Sequence, residues 1–139
     1  MPTAFQPHGE FKARLDGRII MSEVVGPWNR EAILDWAAQA HALVKALPGN
    51  GPHVGLAVVR GSLLCPPDAL AAMRDALSYS TSKLQCVGNG IIADASVEGR
   101  ALLQGTYAKT YEGTAPHRFF FEVDSARLWA LQLLAQRGF

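Results

Sequence analysis

A chain of 139 residues is long enough for one domain with a sizeable core and short for two. Its 13 basic and 12 acidic side chains leave a formal net charge of +1, which supplies no broad field for nucleic acid or an anionic membrane surface and little colloidal repulsion against self-association. Cys65 and Cys86 are too few for the disulfide framework of a small secreted domain, and no run of about eighteen apolar residues spans a bilayer, so reduced thiols and a cytoplasmic location are expected.

Residues 1–8, with Pro2 and Pro7 and no continuous apolar stretch, read as a disordered lead-in rather than a signal peptide, leaving 9–139 as one domain. Glu10 to Leu15 alternates charged and apolar residues, as a half-buried edge strand does. Asp16-Gly17 suits a type I′ hairpin turn, and Arg18 to Val25 returns as a second strand, apolar on both faces and so interior to the sheet. Gly26-Pro27-Trp28-Asn29 makes a sharp corner. Asn29 is a good helix N-cap, and Trp28 and Ile33 have the spacing of a hydrophobic staple. Ile33, Trp36, Ala37, Ala40, Leu43, Val44 and Leu47 then recur at helical spacing until the Pro48–Pro52 loop stops the helix.

Val54 to Val59 is a short apolar run of the kind that forms a buried parallel strand, followed by Arg60-Gly61-Ser62. Pro66-Pro67-Asp68 suits the opening of a second helix, with Leu70, Met73 and Leu77 on one stripe to about Ser80. Gln85 to Ile92 forms a fourth strand, in which Gly88-Asn89-Gly90 marks a bulge or a close backbone approach. Asp94 or Ser96 caps a third helix carrying Leu103, Tyr107 and Tyr111. Arg118 to Val123 is a fifth strand, and Asp124 or Ser125 caps a last helix with Ala126, Trp129, Ala130, Leu133 and Leu134 on one face. The order β-β-α-β-α-β-α-β-α predicts an α/β fold: a single mixed, mostly parallel five-stranded sheet with an N-terminal β-hairpin and four helices covering both faces. In such sheets ligands bind outside the carboxyl ends of the strands, here near Pro27 to Asn29, Arg60 to Leu64, Ala93 to Ser96 and Val123 to Ser125.

From about Gly9 to Ala135 this layout resembles the small SpoIIAA-like proteins of the STAS superfamily, which share a sheet-and-helix arrangement with lipid-binding CRAL-TRIO domains. The likeness rests on the hairpin ending in Gly26-Pro27-Trp28-Asn29, on the element order, and on Arg118-Phe119 followed by Asp124, Ala126 and Trp129. It implies a regulatory domain similar to bacterial anti-sigma-factor antagonists, which are switched by phosphorylation of a serine at the start of the second helix, in an Asp-Ser-Ser-Gly motif. Here Leu64-Cys65-Pro66-Pro67-Asp68 stands in that place and Ser62 comes a few residues early, so the switch is not carried over to Ser62.

The residues offer no catalytic set. His8, His41, His53 and His117 make no pair at metal-ligand spacing and read as solvated or loop histidines. No Gly-x-Ser-x-Gly elbow is present, and Gly88-Asn89-Gly90 lacks the Gly-Lys-Ser/Thr of a phosphate loop. Cys65, at a helix N-terminus, is the thiol whose pKa is expected to fall. Core packing accounts for most of the tryptophans and tyrosines. Trp28, partly exposed at the strand-helix corner, is the exception. The ligand- or partner-binding candidates are therefore Trp28, Asn29, Arg60, Ser62 and Asp94 on one rim, with no catalytic residue, metal or cofactor. The leading expectation is a non-catalytic module that binds a protein partner or itself, with no nucleic-acid partner. The alternative is a binder of a small apolar, lipid-like ligand, and the third reading is an enzyme built on Arg60, Asp94 and Asp124.

Overall fold

The computed structural model describes residues 9–139, and the expected lead-in over residues 1–8 lies outside the described residues. Strands β1 (Glu10–Asp16) and β2 (Ile19–Val25) pair antiparallel with Asp16 opposite Ile19. The turn is therefore Gly17-Arg18, one residue beyond the expected Asp16-Gly17. Gly17 has a φ of 60° and Arg18 is not in the left-handed region, so the turn needs glycine only at its first central position, the type II′ pattern rather than I′. Arg18 then reaches the carbonyls of Pro48, Asn50 and Pro52 and lies over the Phe139 ring, tying the hairpin to the loop that ends the first helix.

Helix α1 (Arg30–Lys45) starts as its sequence requires. The Asn29 side chain accepts from the Ala32 amide at 3.1 Å, and Trp28 and Ile33 both join the core beneath the helix. The remaining elements are β3 (His53–Arg60), α2 (Pro67–Lys83), β4 (Cys86–Ile92), α3 (Gln104–Tyr111), β5 (His117–Phe120) and α4 (Val123–Ala135). Two starts differ from expectation. Asp94 accepts from the amide and hydroxyl of Ser96, closing a local turn rather than capping a helix, and α3 begins only at Gln104 with no side-chain cap. Because β5 ends at Phe120 rather than Val123, α4 starts at Val123, and Ser125 donates to the Glu122 carbonyl instead of capping.

The sheet order is β1-β2-β3-β4-β5, with only β1 antiparallel. Each right-handed crossover steps one strand in the same direction, so α1, α2 and α3 fall on one face. Their core holds Val24, Ile33, Ala57, Val59, Met73, Ile91 and Tyr107. On the opposite face α4 packs alone over Ile19, Met21, Val54, Leu56, Val87 and Phe120. There Gly88 and Gly90 permit close approach: a Cβ on Gly88 would stand 2.4 Å from Leu133 Cδ1, and one on Gly90 2.7 Å from Leu56 Cδ2. Because the strand order never reverses, no pair of helices diverges to open a crevice at the carboxyl ends of the strands, where the sequence pattern placed the ligand. Among the described residues no helix is long and apolar enough to cross a membrane.

Candidate functional site

The five candidate residues lie at or just beneath the carboxyl rim of the sheet, and all but Trp28 are occupied locally; the Trp28 indole nitrogen is buried without a hydrogen-bond partner. Trp28 is 4% exposed, a core residue rather than a rim one, because Gly26 lets the indole fold back beneath the corner. Asn29 caps α1. Arg60 forms an exposed ion pair with Glu23 on the neighbouring strand at 3.7 Å. Ser62 is buried; its hydroxyl donates to Glu98 Oε1 at 2.6 Å and accepts from the Leu64 amide at 3.0 Å. Asp94 is exposed, and its bonds to Ser96 hold its carboxyl below the ordinary carboxylate range. Arg100, which no local pattern singled out, closes the rim further. Buried against the Phe119 and Phe121 rings, it donates to the Ala93 carbonyl at 2.7 Å and to Gln104.

The cavity lies at the other end of the sheet. Between α1 and α2 and the amino-terminal and central parts of β2, β3 and β4 there is a space of about 90 Å³, partly open to solvent. Its floor is the upper face of the sheet: Ile20 and Ser22 of β2, His53, Gly55 and Ala57 of β3, and Cys86 and Asn89 of β4. Its walls are Ile33, Trp36 and Val44 from α1, Met73 and Leu77 from α2, and Tyr111 at the end of α3. Half-buried Ala37 and Ala40 on one helix and Ala76 on the other leave the mouth unfilled, and His41 bonds Ser80 at 3.0 Å between the two helices. None of the five candidate residues lines this space.

Polar atoms in an apolar cavity need partners. Ser22 has one, accepting from the Trp36 indole at 2.8 Å. The Cys86 thiol donates to the Gly88 carbonyl at 3.3 Å. His53 Nδ1 and Asn89 Nδ2 have none, although both atoms are buried and His53 is only 3% exposed. Burial pushes the His53 pKa down to about 4, against a smaller opposing pull from the Leu84 carbonyl, so the ring is neutral at physiological pH. A neutral imidazole carries its proton on one ring nitrogen and a lone pair on the other, so the unpartnered Nδ1 leaves one of these unmet. His41 is likewise lowered by burial.

Three expectations about reactive groups change accordingly. His53 is not a loop histidine: β3 starts one residue before the apolar run, and the His53 amide bonds the Gln85 carbonyl at 3.2 Å. The signal was present in period two, which puts His53 in phase with Gly55 and Ala57. Cys65 does not gain acidity from the helix it precedes; burial pushes its thiol up to about 11, with Trp28 and Tyr107 beside it pulling only partly back. Gly88-Asn89-Gly90 marks a close approach to α4 rather than a bulge: it pairs in step with Val54-Gly55-Leu56, the register shift falls one residue earlier at Val87, and Asn89 lines the cavity. Both cysteines are free, and among the described residues no cluster of three or more His, Cys, Asp or Glu could hold a metal ion. Comparison of the chain with known protein families, with curated proteins and with solved structures found no match.

Proposed function

We propose that the protein is a non-catalytic binding module for a small, mostly apolar molecule, held in the cavity between the α1–α2 pair and the sheet, in a domain of the SpoIIAA-like type. One observation carries the reading: His53 Nδ1 and Asn89 Nδ2 are buried without partners in a space walled by Ile20, Ile33, Val44, Met73 and Leu77. Each unmet buried polar group costs about 1–3 kcal/mol. A concave apolar pocket with a few converging polar groups is the usual form of a small-molecule site. Mass spectrometry of an organic extract of the freshly purified protein tests the reading, with Ala76→Leu as the cavity-filling control. A small neutral compound carried by the natural sequence and lost from the variant is the expected result. An empty extract, together with no rise in melting temperature across a panel of small apolar compounds, would sink it.

A second reading, a module that binds a protein partner or itself, has its own support. Phe121 and Leu128, each 60% exposed, share a shallow groove beside β5, one of the two edge strands of the sheet. Light scattering on the natural chain and on Leu128→Glu is the test; a monomer at every concentration in both proteins removes self-association.

A further inference from the structure

We infer that the cavity selects molecules whose polar end is a single neutral group able both to donate and to accept a hydrogen bond, a hydroxyl or a carboxamide, bridged between His53 and Asn89. The inference rests on the binding reading above and names the chemistry of what is bound. Asn89 pairs with Gly55, two residues along β3 from His53, so the two side chains are diagonal neighbours on the floor of the cavity. Gly55 makes this arrangement possible, since a Cβ there would stand 2.8 Å from Asn89 Oδ1.

The two unmet atoms are complementary in kind. We place the proton of the neutral imidazole on Nε2, so that Nδ1 offers a lone pair, while the carboxamide nitrogen offers N–H. A ligand oxygen that accepts from Asn89 while its own proton goes to His53 meets both demands with one group. A hydrocarbon meets neither. A carboxylate or phosphate accepts from Asn89 but presents a second lone pair to His53 Nδ1, and a burial-depressed imidazole does not readily take up the proton that would relieve this. The walls discriminate in the same sense: no Lys, Arg, Asp or Glu lines the cavity, so neither an anion nor a cation finds a countercharge. The space is smaller than the engineered cavity of about 150 Å³ that accepts benzene, so the enclosed part of a ligand is a few heavy atoms, with any longer chain leaving between Ala37, Ala40 and Ala76.

The test is a nuclear magnetic resonance titration of the full chain at neutral pH with three probes of similar size: 1-butanol, butyrate and 1-chloropropane. The observed signals are the Asn89 side-chain amide and the His53 ring nitrogens. We expect 1-butanol to bind about tenfold more tightly than either other probe, the equivalent of one satisfied buried hydrogen bond, and to shift His53 Nδ1 in the direction of an accepted hydrogen bond. In His53→Leu and in Asn89→Leu that preference falls to within about twofold, while 1-chloropropane binds at least as well as before. Equal binding of 1-butanol and 1-chloropropane overturns the head-group assignment and leaves the apolar-binder reading standing, as does tightest binding by butyrate. Absence of any probe-induced shift among the cavity residues overturns both. The His53 ring-nitrogen shift in the natural sequence reads the bond without any substitution, so the outcome does not depend on how the leucine variants fold.

Discussion

The two ends of the parallel strands make opposite use of their polar groups. At the carboxyl ends the chain is closed on itself apart from the Trp28 indole nitrogen, buried in the core without a partner: Asn29 caps, Ser62 gives to Glu98 and takes from Leu64, Asp94 holds Ser96, and Arg100 is spent on Ala93 and Gln104. At the amino ends His53 and Asn89 are buried with bonds unmade, beneath alanines that leave a space. The carboxyl rim holds the more distinctive local sequence, yet that distinctiveness is spent on making a corner. A site for something outside the chain is recognised by unsatisfied groups on residues that line a space, as His53 and Asn89 do and Trp28, packed in the core, does not.

The sharpest way to break this contrast is to disturb the closed rim and read binding. A Cβ on Gly26 would lie 2.1 Å from the Ser62 carbonyl oxygen and 2.6 Å from the Trp28 ring, and backbone on one side with a buried indole on the other leaves nowhere to move. Gly26→Ala should therefore destabilise by about 3 kcal/mol or more, at the upper end of overpacking costs and a large share of a domain's total. Urea unfolding measures the loss. At low temperature, where the variant remains folded, 1-butanol affinity should match that of the natural chain; a parallel loss of affinity would show that the two ends are coupled.

The next effect belongs to the open end and depends on pH. The folded-state pKa of His53 is about 4, against an ordinary value of 6.5, so between those limits the unfolded chain binds the extra proton. Stability from this group is complete above about pH 6.5, falls as the pH drops towards 4 and then levels, a total of about 3 kcal/mol. His41 is depressed by the same cause and adds in the same sense. In His53→Gln the acid limb should be shallower by most of that amount, read from denaturant midpoints at pH 7 and pH 4.5. Identical limbs would mean that His53 is solvated and the cavity floor is not dry.

Much of the architecture is legible in the amino-acid sequence, and the reasons are local. Asn29 with Ile33 and Trp28, the alternation from Glu10 to Leu15, and the proline stop at 48–52 each act within a few residues, so the hairpin, the first helix and the order of nine elements could be read from spacing. The misplaced turn shows the limit: Gly17 serves either register, and only pairing of Asp16 with Ile19 decides between them. The candidate site was not legible, because it depends on strand order. The rule for ligands at carboxyl ends needs a reversal of direction, and a chain that adds every strand on the same side has none. Nor does spacing reveal that His53, 36 residues before Asn89, shares a floor with it. The register of β3 against β4 brings them together.

Ser62→Ala probes the closed rim more gently. It removes the bond to Glu98, whose carboxylate is exposed and regains water, and leaves the Leu64 amide short of an acceptor, so the expected cost is about 1 kcal/mol in urea unfolding. A much larger loss would identify the Ser62–Glu98 bridge as the contact that holds the segment after β3 against the segment after β4, since the backbone there is joined by Leu63 N to Glu98 O at 2.9 Å and Glu98 N to Gly61 O at 2.9 Å.

The smallest expected effect is also the most direct check on where function sits. Arg60 and Glu23 meet at 3.7 Å with side chains 68% and 50% exposed, a pair whose attraction water and salt screen almost completely. Arg60→Ala should change stability by no more than about 0.5 kcal/mol, and that residual should vanish in high salt. It should leave the affinity for 1-butanol unchanged, because Arg60 ends β3 at the rim opposite His53, which begins it. Seven residues of extended strand, about 3.3 Å each, put more than 20 Å between the two. An Arg60 variant that is stable yet binds differently would return the site to the rim that the sequence pattern favoured, and no partial coupling through the packed centre of β3 would rescue the contrast between the two ends.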